Sequence, residues 1–267
     1  MSRFSPQLTG AHVLVTGGSK GIGRVIVESF LAEGANVSWG SRSVRPDEFS
    51  LFKGATDGAR EVGSTLDIGD PAAIRSWVDK AAKDFGKIDI VVANACPFYA
   101  EATPEAWEKS FQSDILGLWT LIDAATPHLE ARGGTGSIVV ISSAAGFQVG
   151  HPGVGGPYST FKRAQAIMAR DHARKLASKG IRVNTVVPGA IETPSILRPD
   201  GTEELSMFKA AMQQNPAYFE SLFKQIPLGT AGEAQDIANA VVYLSSHLAK
   251  YVSGANLVVD GALTEYY

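Results

Sequence analysis

Residues 16–23 read Thr-Gly-Gly-Ser-Lys-Gly-Ile-Gly. The octet follows the apolar run Ala11–Thr16 and opens a segment in which Ile22, Val25, Ile26, Ser29 and Phe30 recur at helical spacing, so it reads as a strand-to-helix turn. Glycines at such a junction allow a tight turn, close approach of backbone to a pyrophosphate, and close packing of helix on strand. The helix start then offers free N–H groups and a positive dipole to an anion. A phosphate loop of the triphosphatase kind would close with Gly-Lys-Ser/Thr. Here Ile22 follows Gly21, which disfavours triphosphate hydrolysis. The turn is therefore read as a dinucleotide-binding junction.

Further apolar runs lie at Ala35–Gly40, Ile88–Asn94, Ser137–Ser142, Arg182–Val187 and Asn256–Val259, with a weaker one at Val62–Asp67. Their hydrophobicity is continuous, as in parallel strands covered on both faces. Helical patterns separate them. Pro71 opens one with Ile74, Trp77, Val78 and Ala81 on a stripe and Asp70 placed to cap it. Others run from Pro104 to about Leu129, from Gly156-Pro157 to Lys179-Gly180, and from Glu233 to about Leu248. This alternation predicts an α/β fold: a Rossmann-type doubly wound parallel sheet of about seven strands, with helices on both faces. No linker or repeat divides residues 1–267, so a single domain is expected. Residues 195–229 interrupt the alternation with an apolar segment (Leu205, Met207, Phe208, Phe219, Leu222), read as one or two helices covering a substrate site.

Composition bounds the function. The 267 residues carry 24 Lys+Arg against 27 Asp+Glu, a formal charge of −3, which supplies no basic surplus for nucleic acid. The single cysteine, Cys96, excludes an internal disulfide. No run approaches the roughly 18 apolar residues of a membrane helix, and Met1–Gly10 lacks an apolar core, so a cytoplasmic protein with no membrane partner is expected.

The glycine spacing, Gly17-x-x-x-Gly21-x-Gly23, does not stand alone. Ser142-Ser143 closes the fifth strand, Tyr158-Ser-Thr-Phe-Lys162 follows at a helix start, Val187-Pro188-Gly189 follows the sixth strand and Asp260-Gly261 the last. In order and spacing the chain resembles the classical short-chain dehydrogenase/reductase family over nearly its whole length. The resemblance implies hydride transfer between a nicotinamide cofactor and a secondary alcohol or ketone. Tyr158 would be the acid/base, Lys162 would modulate its pKa and hold the nicotinamide ribose, and Ser143 would anchor the substrate oxygen. Physical chemistry agrees with the pairing: a tyrosine ionises near pH 10, and a cation at i+4 on the same helical face favours the phenolate. Ser142 is the rival anchor, and the family pattern selects the second serine. A serine hydrolase would need Gly-x-Ser-x-Gly, which Ile141–Ala145 does not provide.

The cofactor contacts implied by the resemblance are Gly17, Ser19, Lys20, Gly21, Ile22 and Gly23 at the turn, and Asp67-Ile68 beside the adenine. Asn94 and Ala95 would follow the fourth strand, and Pro188, Gly189, Ile191 and Thr193 would meet the nicotinamide end. Ser41 aligns with the acid that holds the ribose hydroxyls in NAD enzymes. With no carboxylate there, Arg42 and Lys20 are placed to bind a 2′-phosphate, so NADP(H) is the expected cofactor, with NAD(H) possible and no metal.

Three departures from the family pattern stand out. Asp114 occupies the usual asparagine position, and is expected to keep a relay role beside Lys162. Cys96 replaces a glycine in Ala93-Asn94-Ala95-Cys96, and reads as a small buried filler. The stretch from Ser143 to Tyr158 is slightly long, the excess falling in residues 150–156 with His151. Phe98, Tyr99, Phe147, Ile196, Met207 and Phe208 are candidates for an apolar pocket, pointing to a small-molecule ketone or alcohol with a cyclic or aromatic body. The resemblance also implies a homotetramer, to which the helix from Glu233 and the tail Ala262–Tyr267 are candidate contributors. Two alternatives remain: an NAD-dependent catabolic dehydrogenase of the same family, and a catalytically silent dinucleotide-binding sensor.

Overall fold

A computed structural model describes residues 5–43, 55–99, 101–148, 156–197 and 200–265; His151 and most of its loop lie outside them. The chain runs β1 (His12–Thr16), α1 (Gly21–Ala32), β2 (Asn36–Ser41), β3 (Glu61–Thr65), α2 (Pro71–Phe85), β4 (Ile90–Ala93) and α3 (Pro104–Ser110). A π-helical turn (Phe111–Gly117) joins α3 to α4 (Leu118–Glu130), followed by β5 (Ser137–Ile141), α5 (Pro157–Leu176) and β6 (Arg182–Pro188). Three two-residue strands come next, β7 (Ile191–Glu192), β8 (Ile196–Leu197) and β9 (Glu203–Glu204), then α6 (Met207–Gln214) and α7 (Pro216–Gln225). The chain closes with β10 (Gly232–Glu233), α8 (Ala234–Ser245) and β11 (Asn256–Val259).

Seven strands form one parallel sheet in the order β11-β6-β5-β4-β1-β2-β3. Successive side chains of a strand point to opposite faces, so β1 feeds two cores. Val13 and Val15 pack with Ile26, Phe30, Ile237 and Val241 of α1 and α8. Leu14 packs with Ile74, Trp77, Leu121, Leu129 and Ala169 of α2, α4 and α5. The expected stripe on α2 is buried, and Asp70 caps it by accepting from the Ala72 and Ala73 N–H groups. The chain leaves β1 toward β2 on one side and resumes at β4 on the other. A crevice therefore opens above the carboxyl ends of β1 and β4, where doubly wound sheets hold their ligands.

Two details differ from expectation. The helix from Pro104 is interrupted by the π turn, which inserts one extra residue into the ladder where Asp114 sits. The 195–229 segment contains an antiparallel β8–β9 hairpin besides its two helices. There Phe219, Leu222 and Ile226 close a small core with Leu263, so the tail packs at Leu263 and Thr264 inside the protomer. The apolar face of α8 is likewise spent within the protomer against α1.

Candidate active site

The glycine turn is held in place by groups from β1 and β4. Gly17 has φ +74°, a left-handed conformation that disfavours a side chain. A Cβ on Gly23 would lie 2.1 Å from the Gly17 carbonyl oxygen and 2.4 Å from Asn94 Nδ2. The backbone is bare because nothing larger fits. Asn94 Nδ2 donates to the carbonyls of Thr16 (2.9 Å) and Gly17 (3.3 Å). The buried Thr16 hydroxyl accepts from the backbone N–H groups of Asn94 (3.0 Å) and Ala95 (3.1 Å). Thr16 carries little signal in the sequence, a lone hydroxyl closing the run His12-Val-Leu-Val.

A groove of about 840 Å³ runs over this turn. Gly17, Ser19, Lys20, Gly21, Ile22 and Gly23 line it along one side. Ser41 and Arg42 line it at the end of β2, Asp67 and Ile68 after β3, and Asn94 and Ala95 after β4. Thr193 completes the far wall, with Ile196, Leu205 and Met207 from the hairpin and the start of α6. Ser19 and Ser41 share a 2.8 Å hydroxyl–hydroxyl hydrogen bond, and no carboxylate stands at Ser41. Lys20 and Arg42 are exposed, and neither makes an ion pair among the described residues. Asp67 turns one oxygen onto the Gly69 N–H (2.8 Å). Pro188, Gly189 and Ile191 are not among the residues that line the groove. Pro188 ends β6, Gly189 presses so close to Asp260 that a Cβ would come within 2.6 Å of its Cβ, and Ile191 is buried in the core beside α8. The bare turn, free helix start and unpaired cations fit the pyrophosphate and phosphates of a dinucleotide.

Beside the groove, β5 and α5 assemble the reactive groups. Lys162 is buried, and its Nζ donates to the Ile141 carbonyl (2.8 Å) while standing 6.0 Å from the Tyr158 ring centre. Ser142 donates to the Lys162 carbonyl (2.6 Å) and is buried; it fastens α5 to β5. Ser143 instead is near enough to the phenol to favour its ionised form. The two adjacent hydroxyls thus point to different tasks. Phe98 meets the Tyr158 ring edge-on at 4.9 Å and is half exposed. Phe147, by contrast, is buried under Arg163 and Phe208 packs on Phe219, so these two belong to packing rather than to an open pocket.

Electrostatics refine the expectation for Tyr158. Burial pushes the phenol above its ordinary value; Lys162 and Ser143 pull it down, while Cys96 and Asp114 oppose them. Lys162 acts in the expected sense, but desolvation outweighs it, so the phenol stays protonated at neutral pH. Burial also works against the Lys162 ammonium, yet Cys96, Tyr158 and Asp114 hold it above the usual lysine range. Asp114, at 2% exposure, is raised by burial and lowered by Lys162. Its carbonyl oxygen accepts from Gln165 Nε2 (2.9 Å), which anchors the π turn to α5. Cys96 is pushed up to about 12, first by burial, and is therefore a thiol rather than a redox-active thiolate.

Known proteins resemble this chain over nearly its whole length. The family model described as enoyl-(acyl carrier protein) reductase matches residues 16–264. The chain is a short-chain dehydrogenase/reductase. It is 39% identical to isoepoxydon dehydrogenase patN of Penicillium expansum, over 96% of this chain and 95% of that one. It is 33% identical to L-rhamnose 1-dehydrogenase (NAD(P)(+)) of Sphingomonas sp. (strain SKA58), covering 96% and 97%. A solved short-chain relative, a provisionally assigned 2-deoxy-d-gluconate 3-dehydrogenase from Agrobacterium tumefaciens with bound NADP, superposes with a TM-score of 0.81 at 32% identity, covering 98% and 99%. This short-chain dehydrogenase/reductase is accordingly an oxidoreductase of CH–OH groups that uses a nicotinamide cofactor and a small-molecule substrate. Among its described residues no helix is long and apolar enough to cross a membrane.

Proposed function

We propose that this enzyme interconverts a ketone and a secondary alcohol with NADP(H), on a substrate with an apolar cyclic or aromatic body. The observation that carries the reading is the buried Lys162 beside Tyr158 and Ser143, next to a groove that carries Lys20 and Arg42 and has no carboxylate at Ser41. The cofactor supplies or accepts the hydride. Ser143 donates a hydrogen bond to the substrate oxygen, offsetting the negative charge that develops there. Tyr158, protonated at neutral pH, passes its proton to that oxygen during reduction and takes it back during oxidation. Lys162 steadies the phenolate left behind, and the buried Asp114 carboxyl of the π turn adds negative charge that favours the Lys162 ammonium. Gly17, Gly21 and Gly23 give the pyrophosphate access to backbone N–H groups; Asp67, Ile68, Asn94, Ala95 and Thr193 wall the groove. Pro188, Gly189 and Ile191 hold the shape of its nicotinamide end.

Residues 195–229 cover the substrate in this reading, because Ile196, Leu205 and Met207 turn apolar surface into the groove while Phe98 stands open beside Tyr158. NAD(H) is the second reading, favoured by the Ser19–Ser41 hydroxyl pair, which suits a bare ribose. Trp107, Phe111, Trp119 and Ile167 leave an exposed apolar face on α3, the π turn, α4 and α5, which suits a second copy, as in a homotetramer.

The test compares kcat/KM for NADPH and NADH with cyclic, aryl and linear ketones. NADPH is expected to be preferred, with Arg42→Ala and Lys20→Ala each raising its KM about three- to tenfold and leaving NADH unchanged. Tyr158→Phe is expected to cut kcat by about 10²–10⁴ with NADPH affinity intact. A preference for NADH overturns the cofactor assignment. Full activity of Tyr158→Phe overturns the mechanism.

A further inference from the structure

Three consecutive residues of β2 hold three consecutive residues of the glycine turn. The Gly17 N–H donates to the Gly40 carbonyl (2.6 Å), Ser19 and Ser41 share their hydroxyl bond, and between them Gly18 rests on Trp39. A Cβ on Gly18 would stand 2.6 Å from the Trp39 Cβ and 2.9 Å from its Cγ, so the turn backbone lies directly on the base of the indole. At the other end of the ring, Trp39 pairs in register with Gly63 of β3, where a Cβ would come within 2.5 Å of Cζ2. The indole, 1% exposed, therefore fills the space between two glycines. One polar atom sets its orientation: Nε1 donates to Glu61 Oε1 at 2.7 Å. A buried indole N–H without an acceptor is costly, so this bond selects how the ring lies. The same carboxylate accepts from the Arg24 guanidinium, through Nη1 and through Nη2 (3.4 Å), and Arg24 Nε also donates to Glu28 (2.9 Å). Arg24 follows Gly23 in the first turn of α1, so the contacts run from the glycine turn to β2, to β3 and back to the helix that the turn opens. Arg24, Trp39 and Glu61 are not among the residues that line the groove.

We propose that Glu61 is a positioning residue for the cofactor: by fixing the Trp39 indole, it holds Gly17–Ser19 in the shape that receives a pyrophosphate. N–H groups aimed before the ligand arrives bind it without the cost of ordering them. Glu61 touches no part of the dinucleotide in this role and acts through Trp39 and the turn backbone. Because the pyrophosphate is common to both nicotinamide cofactors, losing this support weakens NADPH and NADH alike. That separates Glu61 from Lys20 and Arg42, whose removal bears on NADPH.

The inference rests on the reading of the groove as the dinucleotide site, and its test tells the two failures apart. In the full-length protein, Kd for NADPH and NADH is measured by fluorescence titration, Tm by scanning fluorimetry, and KM against kcat by initial rates. Glu61→Leu removes the acceptor and the charge together. It is expected to raise Kd and cofactor KM about five- to tenfold for both dinucleotides, with kcat kept. Glu61→Gln keeps a carbonyl oxygen for the indole and loses only the charge that faces Arg24. Its Tm is expected to fall while its Kd stays within about twofold of wild type, a split that a merely structural role does not produce. In a Trp39→Phe background, Glu61→Leu should add less than about twofold to the Kd of Trp39→Phe alone. A Kd unmoved by Glu61→Leu, or raised as far by Glu61→Gln, overturns the proposal and leaves the groove reading standing. A wild type that binds neither dinucleotide overturns both. Should Glu61→Leu not fold, Trp39→Phe, which removes the indole donor and keeps an aromatic ring, takes its place, and a wild-type Kd there overturns the proposal equally.

Discussion

Thr16→Val tests how the cofactor turn is held. The change keeps shape and removes the one oxygen that accepts from both Asn94 N–H (3.0 Å) and Ala95 N–H (3.1 Å). An unsatisfied buried donor costs about 1–3 kcal/mol, and the added methyl returns less than about 1 kcal/mol by apolar contact. Asn94 and Ala95 are half-buried, so groove water relieves part of the loss; a net destabilisation of about 2–3 kcal/mol follows. For a chain of this size that lowers Tm by roughly 4–12 °C. Because Asn94 also pins the Thr16 and Gly17 carbonyls, loosening its backbone loosens the turn, and NADPH affinity is expected to fall with stability. Differential scanning fluorimetry and NADPH fluorescence titration read the two effects. Thr16→Ser keeps the acceptor and loses one methyl, so it should stay within about 1 kcal/mol of wild type in stability and bind NADPH normally. A Thr16→Val protein whose Tm and NADPH affinity match those of Thr16→Ser refutes the argument, since the hydroxyl would then be carrying nothing.

The two neighbouring serines should separate cleanly. Ser142→Ala removes the buried bond to the Lys162 carbonyl and is expected to cost about 1–3 kcal/mol of stability, read as a lower Tm, with a small change in kcat. Ser143→Ala is expected to lower kcat about 10²-fold with Tm unchanged; the opposite assignment of losses would exchange their roles. His12, at the other end of β1, gives the acid side of stability. It is fully buried, with Nδ1–H donating to the Lys87 carbonyl and Nε2 accepting from Ser38 Oγ (2.9 Å), and burial depresses its pKa. The unfolded chain therefore takes up this proton first. Stability is full above the unfolded histidine pKa of about 6.5 and falls as pH drops toward the depressed folded value. His12→Gln should flatten Tm between pH 7.5 and 5.5, whereas an equal slope in both proteins would exclude His12 as its source.

Continuous aliphatic runs and a glycine turn made the sheet legible, because a strand buried on both faces has little choice but Val, Ile and Leu. Pro71 after Asp70, and Pro104, fixed helix starts to the residue for an equally local reason. The β8–β9 hairpin escaped, since two-residue strands carry no periodicity to detect. Phe147 and Phe208 were assigned to a pocket because hydrophobicity does not say which side of a helix faces an open groove. The distinction between Ser142 and Ser143 was legible only through resemblance; the physical reason, one hydroxyl spent on the Lys162 carbonyl, needs coordinates.

The π turn explains why Asp114 was legible as a departure but not as a partner. Asp114 follows Ser113, whose hydroxyl bonds back to the Lys109 carbonyl (2.9 Å), and the ladder widens there by one residue. At the end of the same turn, a Cβ on Gly117 would stand 2.2 Å from the Ile68 carbonyl oxygen, so the turn lies hard against the loop that walls the groove after β3. Gln165 ties its middle to α5, three residues from Lys162. One short irregular stretch therefore lies against both the Ile68 carbonyl beside the groove and, through Gln165, the helix that carries Lys162. Gly117→Ala must displace one of them, either the Ile68 carbonyl or the π turn itself. Displacing the wall raises the KM for the dinucleotide with kcat kept, while displacing the turn moves Asp114 and lowers kcat with affinity kept. A variant in which neither parameter changes would mean that the 2.2 Å approach relaxes without cost, and that the two ends of the site are mechanically independent.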